Sequence, residues 1–370
     1  MPFSEYLGNE RVVTALRGAL RTERVPHAML FCGPRGVGKY TLALMFAQAA
    51  NCERLKDDFC GECDTCRKIG RLADPAPLIE QGLAQRGENP DVAAVERMPL
   101  LLQTHPDVWA IVPDPVRLRN PVARPMIRMG QLRAVQRAAY FKPVGRRRVF
   151  IIDGAETMRQ DFSNVFLKVL EEPPESASLI LLAPSPYNLL PTIVSRCLPF
   201  FFAPLAVEHL ETLLKGRADL KPADRRLAAQ LAEGCPGVAM GMDLEAAAQL
   251  RRDALRVLTQ AVEARSYAGL FRETSSLLKN REETFEVQLE VFYSLLTDVL
   301  ELSSGTGSSL LRNPALRTDL EALTKKVDLD WVVRAVGEFD TLYGRARRNV
   351  NRQLGLDAIA VSLSAGEASL

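Results

Sequence analysis

The chain has 370 residues, 47% of them hydrophobic and 25% charged, and a formal net charge of +2. That length supports two or three domains with their own cores, and the near-neutral balance gives no bulk attraction to nucleic acid or to an anionic membrane. The longest apolar runs, such as "LILLA" and "VFII", fall far below the roughly 20 residues that span a bilayer. The start, "MPFSEYLGNERVV", is charged and has no apolar secretory core, so a cytosolic protein is expected.

Taken in chain order, strand-like apolar runs lie at 27–32 ("HAMLFC"), 108–112 ("VWAIV"), 148–153 ("RVFIID"), 179–183 ("LILLA") and 200–203 ("FFFA"). Continuous apolar strands separated by helical patterns predict a parallel sheet covered on both faces. One intervening helix is marked by Phe162, Val165, Phe166, Val169 and Leu170 at helical spacing, with Pro173-Pro174 as its stop. Residues 71–106 are rich in Pro, Gly and Gln with weak periodicity, which predicts a partly mobile insertion. Beyond about residue 204 the strand signals vanish. Short helices broken at 234–237 come first, and from 244 onward the pattern is helical apart from the loop "SSGTGSS".

The first run leads directly into "GPRGVGKYTLA", a glycine-rich turn between a strand and a helix. This is the setting of a phosphate-binding loop, whose amides and lysine cradle phosphates at a helix N-terminus. Gly33, Gly36, Gly38 and Lys39 are in place. The hydroxyl that would hold Mg²⁺ is replaced by Tyr40, whose phenol lies too far out, and Thr41 sits about 100° further round the helix. Asp153, at the end of "RVFIID", stands where a magnesium-binding carboxylate belongs, or else merely ends a strand and begins a turn. Gly154 follows it, and Glu156 comes after the backbone has left the strand.

Four of the seven cysteines, Cys52, Cys60, Cys63 and Cys66, are spaced C-x7-C-x2-C-x2-C. Four thiolates so close in sequence suit a closed, tetrahedral structural Zn²⁺ site, and a reducing compartment argues against the alternative of two disulfides. Cys32, Cys197 and Cys235 read as ordinary buried residues. Arg117, Arg119, Arg124, Arg128, Arg133 and Arg137, followed by Arg146-Arg147-Arg148, form a loose basic run. Such a run either tracks phosphates or is a solvated helix face.

The stretch "NVFLKVLEEPPESASLILLAPSPYNLLPTIVSRCLPFFFAPL" resembles the AAA+ clamp-loader ATPases of bacterial replication. Those proteins share an asparagine-containing helix ending in "LEEPP", a sensor strand, and an "LLPTI.SRC" segment. "GNERVVTALRGAL" is similar to their nucleotide-edge segment, "HPDV" to the stretch after their zinc module, and "RRNVNRQLGLDAIAVSL" to their last collar helix. The resemblance covers nearly the whole chain except 71–106 and parts of the collar. It implies an α/β AAA+ P-loop domain over 1–203, with a parallel five-stranded sheet and a zinc module inserted at about 52–66. A small helical lid domain (204–243) and an all-α collar domain (244–370) are implied to follow.

The resemblance further implies that Arg196 of "VSRC" is an arginine finger, projecting to the γ-phosphate held by a neighbouring subunit; the alternative is a plain ion pair with an acid beside the sheet. Four positions depart from a working motor: Tyr40, Gly154, Pro184-Ser185 in the sensor strand, and "GCPGVAM" in place of a second sensor with its arginine. These departures imply the family's delta-prime type, without intrinsic ATPase activity or metal-assisted ATP binding, rather than a motor. The implied partners are the motor (tau/gamma) and delta subunits of the DNA polymerase III holoenzyme, the sliding clamp, and primed DNA reached through the assembly.

Overall fold

The computed structural model describes the chain except residues 1, 88–89, 116–124, 173, 218, 264–265, 280–283, 306–310, 347–350 and 365–370, and gives backbone alone at 160–165 and 346. The chain divides into two compact units, one comprising Met1–Leu213 with Gly234–Val238, the other Leu214–Glu233 with Ala239–Leu370.

In the first unit, α1 (Glu10–Arg21) and β1 (Ala28–Cys32) precede α2 (Lys39–Asn51) and α3 (Asp64–Gly70). Next come α4 (Ala76–Ala84), α5 (Val92–Arg97), β2 (Leu102–His105), β3 (Val108–Ile111), α6 (Met129–Ala139) and β4 (Arg148–Ile152). The unit continues through α7 (Gln160–Glu171), β5 (Ala177–Ala183), α8 (Pro191–Val194), β6 (Leu198–Phe201) and α9 (Val207–Leu213).

The sheet has six strands in the order β2-β3-β4-β5-β1-β6. Every pair from β3 to β6 is parallel, and β2 runs antiparallel to β3. The expected five-stranded parallel sheet therefore gains a sixth, antiparallel edge strand. It comes from within 71–106, the expected insertion. "LQTH" is short and mostly polar, and only its ends are buried, so it lacks the apolar run of a central strand. The remainder of 71–106 holds α4 and α5, and is pinned by a buried ion pair from Arg86 Nη1 to Asp114 Oδ2 at 2.7 Å.

Burial on both faces follows from strand alternation. Val149 and Ile151 of β4, with Ile180 and Leu182 of β5, enter a core shared with α1, α2 and the cysteine cluster. Phe150, Ile152, Leu179 and Leu181 enter the opposite core, with Leu132 and Val135 of α6 and Phe166 and Val169 of α7. Continuous apolar strands thus belong to a sheet sandwiched by helices. The predicted helix around Phe166 is α7; the side chains of Phe162 and Val165, and residue Pro173, lie outside the described residues.

The second unit is helical. It contains α10 (Pro222–Leu231), the end of α11 (Pro236–Gly241), α12 (Leu244–Glu263), α13 (Tyr267–Lys279), α14 (Phe285–Ser304), α15 (Arg317–Thr324), α16 (Leu329–Ala346) and α17 (Arg352–Ser364). Its core is built from one face of each long helix, with Phe292 and Phe339 stacked at 4.5 Å between α14 and α16. Among the described residues no helix is long and apolar enough to cross a membrane.

Candidate functional site: a phosphate-loop cavity, a four-thiol knuckle and a surface arginine

β1 ends at Cys32, and the loop from Gly33 delivers the chain into α2 at Lys39, with Gly38 as a left-handed N-cap. A cavity of about 330 Å³ opens here; its lining includes Gly36, Gly38, Lys39, Thr41, Glu156 and Pro184. Tyr40 and Gly154 also contribute to the wall. Of the expected residues, Gly36, Gly38, Lys39, Tyr40 and Thr41 line the cavity, while Gly33 and Asp153 do not.

The side chains of Lys39 and Tyr40 are turned inward. Lys39 Nζ donates to the carbonyls of Gly33 (2.6 Å) and Pro34 (2.8 Å), within its own loop. Burial lowers the affinity of this amine for its proton, opposed by the nearby charges of Asp153 and Glu156. Tyr40 Oη donates to the carbonyl of Leu72 at 2.8 Å, and burial raises its pKa. Tyr40 thus bonds α2 to the segment that follows α3. Thr41 is exposed.

Gly36 shows why the loop needs glycine. Its φ is +78°, and an added Cβ would lie 2.9 Å from the Val238 amide nitrogen. Gly237 N–H donates to the Gly36 carbonyl at 2.8 Å, so the "GCPG" segment lies directly on the loop.

Asp153 follows β4, and its Oδ1 accepts from the Gly154 amide at 3.0 Å, closing a tight turn. Gly154 is left-handed at φ +67°, and a Cβ there would meet Pro113 Cγ at 2.8 Å. Asp153 is half-buried; burial raises its pKa while Lys39 lowers it. The carboxylate-bearing residue lining the cavity is Glu156, on the short turn Ala155–Thr157. Sequence reasoning set Glu156 aside, since only the fold of that turn brings it back to the cavity. It also missed Tyr6, whose hydroxyl donates to the Gly38 carbonyl at 3.3 Å.

The four predicted cysteines converge, with their sulfurs all within 4.8 Å of one another. Tetrahedral Zn–S bonds of about 2.3 Å place sulfurs roughly 3.8 Å apart, so this donor set fits such an ion after slight contraction. Amide N–H groups already point at three of them: Leu55 to Cys52 Sγ, Cys63 to Cys60 Sγ and Cys66 to Cys63 Sγ, at 3.3–3.4 Å. Such bonds favour thiolate, and the Cys60 thiol is brought down to about 6, chiefly by the Cys63 amide. All seven cysteines are free thiols. Cys32, Cys197 and Cys235 are buried, and burial pushes the Cys197 thiol up to about 12.

Arg196 follows α8 on the surface, about one third exposed. Its Nη2 donates to Glu171 Oε1 at 2.7 Å, and its Nη1 to the Thr192 carbonyl at 2.9 Å and to Ser195 Oγ at 3.3 Å. Exposed apolar residues flank it along the chain: Tyr187, Leu198 and Phe201, the latter two on edge strand β6.

The basic run has another use. Arg146 Nη2 donates to the carbonyls of Ala49, Cys52 and Leu55, which closes the end of α2 against the cysteine loop. Arg147 Nη1 reaches Glu175 O and Ser178 Oγ, and Arg148 reaches Asp107 and Ala138 O. Arg128 is buried at the start of α6. These guanidiniums hold backbone together, whereas Arg133 and Arg137 are exposed one turn apart on α6, a solvated helix face. Arg117, Arg119 and Arg124 lie outside the described residues.

The family described as "DNA polymerase III, delta subunit" matches residues 8–206. Curated relatives include DNA polymerase III subunit tau of Escherichia coli, 32% identical over 58% of this chain and 27% of its own length. DNA polymerase III subunit tau/gamma of Haemophilus influenzae is 26% identical over 95% of this chain and 40% of its own. DNA polymerase III subunit delta' of Bacillus subtilis is 25% identical over 86% of this chain and 87% of its own. The chain thus spans only 27–40% of the length of those tau-type relatives. With the match covering more than half of its residues, including the phosphate loop, the cysteine cluster and Arg196, the chain belongs to the DNA polymerase III delta-subunit family.

Proposed function

We propose that this protein is a delta-prime-type subunit of the DNA polymerase III clamp loader, an AAA+ member that does not turn over ATP itself. In this reading it assembles with motor and delta subunits, helps place the sliding clamp on primed DNA, and holds Zn²⁺ structurally at Cys52, Cys60, Cys63 and Cys66. The observation carrying it is Tyr40: the position that should offer a hydroxyl to Mg²⁺ donates instead to Leu72 O. Metal and triphosphate are then held by the neighbouring motor. This chain contributes Arg196, whose delocalised charge and fixed donors suit the anionic oxygens of a transferring phosphoryl group.

The test is ATP turnover by the reconstituted assembly with the wild-type chain or Arg196→Ala. A marked fall with assembly intact is expected; an unchanged rate removes the finger.

A second reading, a motor-type subunit, is favoured by Glu156 lining the cavity beside Lys39. It requires ATP hydrolysis by the isolated chain that Lys39→Ala abolishes.

A further inference from the structure

We infer that Glu171 is the positioning residue for Arg196, an inference that rests on the finger reading above. Glu171 is the last residue of α7, and Arg196 follows α8, 25 positions later in sequence. A guanidinium has five N–H donors in one plane. Three of the Arg196 donors are engaged, one with Glu171 Oε1, one with Thr192 O and one with Ser195 Oγ.

These acceptors differ in kind. Thr192 O and Ser195 Oγ belong to the same short segment as the arginine and move with it. Glu171 belongs to a different helix, whose Phe166, Val169 and Leu170 are buried in the core. It is therefore the contact that refers the guanidinium to the rigid body of the domain. With Glu171 49% and Arg196 34% exposed, the pair contributes little to folding. Its effect is geometric: it removes rotamer freedom from a long side chain before any phosphate arrives, and leaves two donors for an incoming anion. A pair with an acid and a finger in trans are thus two aspects of one arrangement.

The test measures ATP turnover by the reconstituted clamp loader with wild-type chain, Glu171→Ala, Glu171→Gln, Arg196→Ala and the Glu171→Ala/Arg196→Ala double variant. Assembly is checked for each by sedimentation. Glu171→Ala should lower kcat roughly tenfold at the site this chain completes, with KM for ATP unchanged, a fraction of the freedom an arginine gives up when held. Glu171→Gln keeps an acceptor at the same reach and should restore most of the rate. In the Arg196→Ala background, Glu171→Ala should change nothing further. Loss with Arg196→Ala but none with Glu171→Ala would overturn the positioning role and leave the finger standing. No loss with Arg196→Ala would remove the finger itself, and the inference with it. Equal losses from Glu171→Ala in both backgrounds, or a faster rate, would also overturn it.

Discussion

Replacing Tyr40 separates a site that has lost a metal ligand from one whose residue has acquired a structural task. Tyr40→Phe keeps the ring, which packs at the edge of the core around α2, but deletes the bond to Leu72 O. Losing one such bond costs about 1 kcal/mol net, or roughly 2–4 °C in the melting of a unit this size. Tyr40→Thr supplies the missing hydroxyl but also removes the ring. Truncating a half-buried aromatic costs about 2–4 kcal/mol, so the midpoint should fall by roughly twice as much or more. Because the loop remains covered by Gly237 and Lys39 remains bonded to Gly33 and Pro34, Mg²⁺-dependent nucleotide binding should not appear. Thermal unfolding followed by tryptophan fluorescence, with fluorescent-nucleotide titration in Mg²⁺, reads both effects. A Tyr40→Thr chain that melts like wild type and binds Mg-nucleotide would refute the reasoning.

Two other substitutions bear on the site. Cys63→Ser removes one of four converging sulfurs, so bound zinc should fall to near zero by metal analysis and the first unit should become protease-sensitive around α3. Gly154→Ala places a side chain at φ +67° and against Pro113 Cγ, which should cost about 1–2 kcal/mol for the left-handed backbone alone. The urea midpoint should drop with an unchanged slope, and Gly154→Glu should fare no better, so an acid cannot be restored there without strain.

The sequence announces whatever depends on neighbours along the chain. The strands β1, β3, β4 and β5 were legible as apolar runs, the phosphate loop as glycines between a strand and a helix, and the thiol cluster as close cysteine spacing. β2 was not, because an edge strand half open to solvent needs no apolar run. The triplet Arg146-Arg147-Arg148 misleads for a related reason. Charge is visible in sequence, but the carbonyls of Ala49, Cys52 and Leu55 that receive Arg146 lie more than 90 residues away. Glu156 is discounted and Glu171 unmarked in the sequence because their relevance comes from the turn after β4 and from the meeting of α7 with the segment after α8.

The helix α2 begins with Lys39 and ends one residue before Cys52. Its 13 residues span about 20 Å, a strut with the phosphate-loop cavity at one end and the thiol cluster at the other. The near end is moored sideways by Tyr40, and the far end by Arg146 and by the cysteine loop itself. The orientation of the strut is thus fixed at both ends by contacts within the chain. Under the delta-prime reading proposed above, that mooring would supply the stiffness of a stationary wall against which a neighbour moves.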